Sequence, residues 1–367
     1  MSPSSTMNDP IGSYQSLPDI EIDGDRNPPK VMDDLLQVIV EESLHLPAMF
    51  TLVLRNDYQP VTPNEEVWKH QDLLKMGKTV KIGLVPGTAS DESSGQSNGD
   101  RPNSNRPSRA SSNSDSDTSA EKYLIEGEIT AIETHFSDRT QAPIVIRGYD
   151  VSHRLQRGRF NRSFQNMTDT DIVKKVIDEV GIKAGEIDES GIPHDYVFQE
   201  NQTNMAFLRD RAARLGYELF VQDGTLNFRA PKSSETLNLK WLRDISNFRV
   251  RVTSAEQVKE VEVRGWDYSS KRPFVSTVQS EHLITETDNG QGKDSSSAFD
   301  KKPDNPKMLL VDRPMFQSKE ADVMAQALYD ELSGQYVHAD AKGEGNPEIR
   351  PGRVVDLEDM GPHSGKY

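Results

Sequence analysis

Ile144-Val145-Ile146-Arg147-Gly148-Tyr149-Asp150-Val151-Ser152-His153-Arg154-Leu155 is the stretch on which the fold turns. An apolar strand ends in Arg-Gly-aromatic-Asp, followed by one spacer and Ser. The pattern recurs where Val261-Glu262-Val263 leads into Arg264-Gly265-Trp266-Asp267, with Ser269 and Lys271 in the places of Ser152 and Arg154. Repetition of this length predicts two related β domains in one chain, with a helical segment between them; the spacing is too long for a solenoid. The alternative is two unrelated strand ends of similar sequence.

The same strand grammar extends outward on both sides. Leu36, Val38 and Val40, then Phe50, Leu52 and Leu54, alternate with their neighbours and predict a strand pair around Leu46-Pro47. Further strands fit Lys78 to Val85, Tyr123 to Glu133 and Pro143 to Tyr149. Two helices follow. One begins at Thr168 with Asp171 three residues on and stops at Gly181; the other runs from Thr203 to Leu215 and stops at Gly216. Asp223-Gly224 between strand-like runs predicts a hairpin over 217–229. Strands return at Phe248 to Val252 and Val258 to Val263, then a polar stretch at 288–307, a helix from Ser318 to Leu332 and a strand from Gln335 to Ala341.

Two segments lack this grammar. Residues 1–29, rich in Pro, Asp and Ser, read as an extended arm. Residues 88–121 are almost wholly polar and cannot bury enough surface to offset their ordering entropy, so they read as a disordered insertion between two strands. A recognition loop is the other reading of that insertion.

Composition excludes whole classes. The net charge of −16 opposes binding to nucleic acid or to an anionic membrane surface. The absence of cysteine removes disulfides, thiolate zinc sites and cysteine nucleophiles. A hydrophobic fraction of 34% is low for one globule of 367 residues and suits a chain that buries surface against copies of itself. No secretory signal and no membrane-spanning stretch is visible, which predicts assembly in the cytoplasm.

Chemistry-bearing motifs are scarce. Gly292-Lys293 is followed by Asp294 and lacks the rest of a phosphate loop; Gly343-Glu344-Gly345 lacks a third glycine. Asp19, Glu21, Asp23 and Gly24 resemble the opening of a calcium loop, but the closing bidentate position falls on Lys30. The eight histidines show no zinc spacing. His153 reads as a surface or interface residue, and Trp241 and Trp266 as core or interface residues. No catalytic, cofactor-binding or metal-ligating residue is assigned.

Two signatures carry a resemblance. Arg147 to Leu155, Gly158-Arg159 and Phe164-Gln165-Asn166-Met167-Thr168-Asp169 form the first. Glu200-Asn201-Gln202-Thr203-Asn204-Met205-Ala206-Phe207-Leu208, with Arg211, Ala212, Leu215, Gly216, Tyr217 and Glu218, form the second. Both resemble the VgrG and phage late control protein D family, the hub proteins of contractile tails and type VI secretion spikes. Arg350-Pro351-Gly352 with Val355, and His363 to Tyr367, resemble the family's entry into its spike barrel. The long insertion departs from the pattern.

The resemblance implies a β-rich α+β chain with two related antiparallel β-barrel-like hub domains and an inserted small α+β domain. The start of an OB-type spike barrel would follow. The boundaries expected are 1–29 for the arm, 30–155 for the first hub domain, 156–240 for the α+β domain, 241–345 for the second hub domain and 346–367 for the spike entry. It further implies a non-enzymatic homotrimer joining a sixfold inner tube to a threefold spike within a phage-tail-like particle. The implied partners are the inner tube protein, baseplate wedge and LysM-type adaptor proteins and a spike tip protein, with no cofactor and no nucleic acid. The alternatives are a hub carrying an appended lytic or toxic domain and a carbohydrate-binding β protein.

Arg353 to Leu357 alternates like a single strand, and few residues follow it. A lone strand leaves an exposed edge, so the expectation is that the chain continues past Tyr367 or that a separate spike protein pairs there. Deleting residues 88–121 should leave particle assembly intact, because a polar insertion carries little buried surface. Loss of particles on that deletion would identify the segment as a docking element.

Overall fold

Phe50 and Gly148 face one another on adjacent strands, and a Cβ on Gly148 would collide with the Phe50 ring and the Glu128 carbonyl. The glycine is there because the ring occupies the place of its side chain. The computed structural model describes residues 17–56, 69–85, 123–135, 143–233, 236–296 and 307–367. Around the Phe50–Gly148 pair it shows an antiparallel sheet curled as a half-barrel. Its strands are β1 (Leu17–Ile22), β2 (Asp25–Arg26), β3 (Leu35–Glu41), β4 (Met49–Leu54), β5 (Thr79–Val85), β6 (Tyr123–Thr134) and β7 (Ile144–Asp150), in the order β2-β1-β5-β6-β7-β4-β3. A short helix, α1 (Pro29–Asp34), precedes β3. Ile20, Phe50, Leu52, Ile82, Ile129 and Ile146 meet inside the curl.

β1 and β2 correct the expected arm. Ile20 and Ile22 are fully buried, and β1 pairs along its length with β5. Asp19, which made the segment look solvated, is held by Arg26 and Asn27. Only two alternating isoleucines signalled the strand, and Pro18 and Asp19 masked them. Residues 1–16 and the insertion 88–121 lie outside the described residues.

The chain then passes through a 3₁₀ helix (Val151–Gln156) into the α+β segment. This comprises β8 (Phe160–Phe164), α2 (Asp169–Glu179), β9 (Lys183–Ile187), β10 (Val197–Gln202), α3 (Asn204–Leu215), β11 (Glu218–Gln222) and β12 (Thr225–Arg229). Both helices begin and end where the sequence predicts. Thr168 and Asp171 form a reciprocal capping box, Thr203 accepts from the Ala206 amide, and Gly216 at φ 68° ends α3. Ile172, Val176, Leu208, Ala212, Leu219 and Phe228 pack into a second core. β9 was not legible in the sequence, because four of its five residues are exposed and its pairing with β12 is parallel.

The last third contains β13 (Thr236–Lys240), β14 (Ile245–Val252), β15 (Glu260–Asp267), β16 (Arg272–Val278), β17 (Glu286–Thr287), α4 (Gly292–Ser296), β18 (Lys307–Leu310), α5 (Ser318–Gly334), β19 (Val337–Gly343), β20 (Val354–Glu358) and β21 (Gly365–Lys366). β15 lies between antiparallel β16 and parallel β18, and Val261 and Val263 pack on Ala321, Ala325 and Tyr329 of α5. β14 pairs with β19. Part of the polar stretch 288–307 forms α4; residues 297–306 lie outside the described residues.

The two repeat blocks share a local device. Gly265 faces Phe274 as Gly148 faces Phe50, and Asp267 accepts the Ser269 amide as Asp150 accepts that of Ser152. Their surroundings differ. β7 has antiparallel neighbours on both sides within a seven-stranded sheet, whereas β15 has one parallel neighbour and a helix across it. The expectation of two superimposable β domains is corrected to this extent: what recurs is a strand end, in which a glycine admits a ring and an aspartate closes the turn.

β20 corrects the expected lone strand. It pairs in parallel with β13 and antiparallel with β21, and Val354 and Leu357 are buried, Leu357 in a small core with Leu239 and Ile245. Thr236 to Lys240, assigned on sequence to the preceding α+β domain, supplies the missing partner. No helix among the described residues is long and apolar enough to cross a membrane.

The glycine pair yields a graded test. At Gly148 the obstacle includes backbone, which cannot yield, whereas at Gly265 it is the Phe274 ring alone, which can rotate. Gly148→Ala should lower stability by about 1–3 kcal/mol in urea unfolding, and Gly265→Ala by less. Equal losses would show that the Glu128 backbone gives way as easily as a ring.

Candidate functional site

The sequence assigns no catalytic group, so the candidate site is the set of polar side chains that hold the parts of the chain to one another. Three junctions stand out, and each is built on arginine.

The first closes the strand end at Asp150. Its buried carboxylate accepts from the Ala48 amide at 2.7 Å and the Ser152 amide at 2.7 Å, and from the Ser152 hydroxyl. These bonds fix the turn from β7 into the 3₁₀ helix. Burial nevertheless pushes the Asp150 carboxyl above its ordinary range, against the pull of those donors. Arg154, one turn on, pairs with Glu128 of β6 and donates to the Gly181 carbonyl at 3.2 Å, so it bridges the first sheet to the end of α2. His153 lies on the same bridge, with Nδ1 2.9 Å from the Asp150 carbonyl and Nε2 3.5 Å from Glu128.

The second fixes the helices of the α+β segment. Asn204 and Gln199 are buried, and Arg162 donates to both, at 2.8 Å to each side-chain oxygen, while lying over the rings of Phe160 and Phe164. Deeper in, Arg211 pairs with Asp169 at the first turn of α2. His194 bridges outward from there, with Nε2 3.1 Å from Asp169 and Nδ1 3.3 Å from Glu320 on α5.

The bonds to Asp169 and Glu320 raise the His194 pKa to about 9. The imidazolium thus donates from both nitrogens. Nε2 is also 2.8 Å from Arg211, and the two carboxylates offset that like-charge contact. Burial would push Asp169 up, but the bonds from His194 and Arg211 outweigh it and hold its carboxyl below the ordinary range. Two cations and two anions close a neutral quartet between α2, α3 and α5. Beside it lies a cavity of about 300 Å³ walled by Ile192, Leu215, Met315 and Val323.

The third is Arg350, whose side chain is 3% exposed. It donates to the carbonyls of Tyr123 at 2.8 Å and Leu124 at 2.9 Å, and pairs with Glu42 at 3.0 Å and Asp223 at 3.6 Å. One guanidinium therefore ties the start of β6, the loop after β3 and the β11–β12 turn to the segment leading into β20.

Other singled-out residues lie elsewhere. Asp19, Glu21 and Asp23 are each paired with a cation, namely Arg26, Lys81 and Lys78. Gly292, Lys293 and Asp294 lie in α4, and Gly343 ends β19. Trp241 packs partly buried against the β13–β20 core, and Trp266 is 46% exposed. The structure brings Asp150, Ser152, His153 and Arg154 together as one turn, and Asp169, Asn204 and Arg211 into adjoining networks. Sequence reasoning missed Glu42, His194 and Glu320: Glu42 and His194 lie in loops without a local motif, and Glu320, although on the predicted helix α5, meets its partner only through the docking of that helix.

Residues 117–367 match the family model described as the Alg8 N-terminal domain. No curated protein matches the chain. Among solved structures, the 43 kDa tail protein of prophage MuSo2 from Shewanella oneidensis is similar at a TM-score of 0.63 and 13% identity, over 96% of this chain and 92% of that one. The tail protein from Neisseria meningitidis MC58 is similar at 0.58 and 12%, over 96% and 90%. The prophage tail protein gp18 from Listeria monocytogenes EGD-e is similar at 0.50 and 13%, over 91% and 82%. The chain has the fold of these tail proteins over nearly its whole length.

His194 gives the quartet a pH signature. Its folded pKa of about 9 exceeds the ordinary 6.5, so its stabilising contribution is complete below about 6.5 and is lost as pH rises through about 9. His194→Gln should cost about 1–3 kcal/mol in urea unfolding at pH 6, and close to nothing at pH 10. A cost independent of pH would show that the side chain acts by packing alone.

Proposed function

The chain belongs to the Alg8 N-terminal domain family, and we propose that it is a structural hub subunit of a phage-tail-like contractile injection baseplate. The observation that carries the reading is the likeness to phage tail proteins across 96% of the chain, in a sequence that also bears the two hub signatures. On this reading three copies form a ring that joins the sixfold inner tube to the threefold spike and is driven into a target when the sheath contracts. On this reading the chain divides into a hub domain that takes in β1 and β2 ahead of 30–155, an α+β domain that runs from 156 and ends before β13, a second β domain that runs to 345, and a spike entry at 346–367 whose β20 pairs with β13. Its contacts are with the inner tube, the baseplate wedge and adaptor proteins, and a spike tip. On this reading it needs no catalytic, cofactor or metal site of its own.

The three arginine junctions support this role physically. A part that transmits thrust must hold its domains at fixed angles, and buried, multiply bonded cations resist shear because any displacement leaves a charge unpaired. The test is the mass and shape of the purified chain. Light scattering at micromolar concentration should give three times the 41.2 kDa of one chain, and negative-stain electron microscopy should show rings of threefold symmetry. A stable monomer, or binding to glycan arrays without ring formation, would overturn the hub reading in favour of a carbohydrate-binding protein.

A further inference from the structure

β15, β16 and β18 form a sheet whose two faces are treated differently. One face packs on α5 through Val261, Val263 and Phe274. On the other, Trp266, Val275 and Leu309 are 46%, 55% and 42% exposed. The acids on that face are paired, Glu262 with Arg264 and Lys307 and Glu260 with Lys307. Its surface is therefore apolar with its charge satisfied, as a covered face would be. Among the described residues the outer edge of β16 is also open: the sheet order is β16-β15-β18, and β16 pairs with β15 alone.

A second open edge exists at the far end of the first sheet. β3 is its terminal strand, and Leu36 and Ile39 are 61% and 36% exposed. Both edge strands are seven residues long, Leu35–Glu41 and Arg272–Val278. Their charges are opposite. β3 ends in exposed Glu41, whereas β16 begins in exposed Arg272, preceded by exposed Lys271. Laid antiparallel, the two strands bring Glu41 against Arg272, and the apolar side chains of β3 beside Val275. β3 and β16 belong to different sheets and do not pair within one copy, but two copies can bring them together.

We infer that β3 of one copy adds to the open edge of β16 in the next copy, with Glu41 meeting Arg272. The contact is heterologous, with a different surface on each partner, so it propagates around a ring and closes when the rotation per copy allows. It covers both unpaired edges at once, which otherwise are a template for aggregation. This inference rests on the trimeric hub reading and specifies which surfaces close the ring.

The test is a charge swap on the full chain, read by sedimentation velocity across a concentration series. Glu41→Lys and Arg272→Glu should each raise the concentration at which the oligomer half-dissociates by about a hundredfold, because each places like charges in contact. The double variant Glu41→Lys/Arg272→Glu should restore assembly to within about tenfold of the parent, as opposite charges again face each other. Both sites are exposed, so the far- and near-UV circular dichroism of all three variants should match the parent. If the parent is trimeric and both single variants stay trimeric, the edge contact is overturned while the hub reading stands. If the single variants dissociate and the double variant does not recover, Glu41 and Arg272 do not face each other and the register is overturned. A parent that is monomeric at every concentration overturns the hub reading itself, and this contact with it.

Discussion

Arg350 imposes a condition that the rest of the molecule has to meet. A guanidinium with 3% of its side chain exposed is stable only if nearly all its donors find acceptors and its charge finds a counter-ion. It finds the carbonyls of Tyr123 and Leu124, with Glu42 and Asp223 beside them. Those four residues come from the first sheet, the loop after β3 and the β11–β12 turn. If any of these shifts by more than a hydrogen bond's tolerance, a buried charge is left uncompensated, at a cost of about 3–5 kcal/mol. The position of the last segment relative to the first sheet is thereby fixed by one side chain.

The elements that could be read from sequence were those with a local rule. Thr168 with Asp171, Thr203 with Gly216, and Asp223-Gly224 each satisfy backbone groups within a few residues, so their signals survive without tertiary context. The pairs β3–β4 and β5–β6 were legible because one face of each is buried and the other is not. What escaped were strands defined by distant partners. β9 is exposed at nearly every position and exists because β12 runs beside it. β20 looked solitary because its partner, β13, lies more than a hundred residues earlier and pairs with it in parallel. Parallel pairing requires a long crossover, so nothing adjacent in sequence announces it. The candidate site shows the same division. The Asp150 turn was visible as a motif, whereas the pairing of His194 with Glu320 depends on how α5 docks.

The low apolar content is accounted for by how the interior is partitioned. Among the described residues there are four separate clusters, centred on Phe50, Leu208, Val263 and Leu239, rather than one large core. Small cores bury a smaller fraction of the chain and need fewer apolar residues. Between them lie the polar junctions. Replacing a buried ion group by apolar residues of similar size is often neutral or stabilising, so these junctions are not there for stability alone. An apolar seam tolerates sliding, because one methyl contact substitutes for another. A quartet such as Asp169, Arg211, His194 and Glu320 has one arrangement in which every charge is matched.

The residue type at each junction follows from this. Arg154, Arg162 and Arg350 each reach two or more acceptors from different elements, which the planar fork of a guanidinium can do in one fixed geometry. Lysine appears where the demand is looser: Lys78 with Asp23 and Lys366 with Glu286 are half-exposed pairs on the surface. Such pairs are screened by solvent and contribute little to stability. The chain therefore commits several of its arginines to internal joints and leaves acid in excess outside, for a net charge of −16. An acidic exterior keeps free copies apart by mutual repulsion. Assembly then has to occur where that repulsion is locally lifted, at surfaces whose acids are already paired, as Glu262 is by Arg264 and Lys307. The distribution of arginine that makes each copy rigid thus also leaves few places where copies can meet.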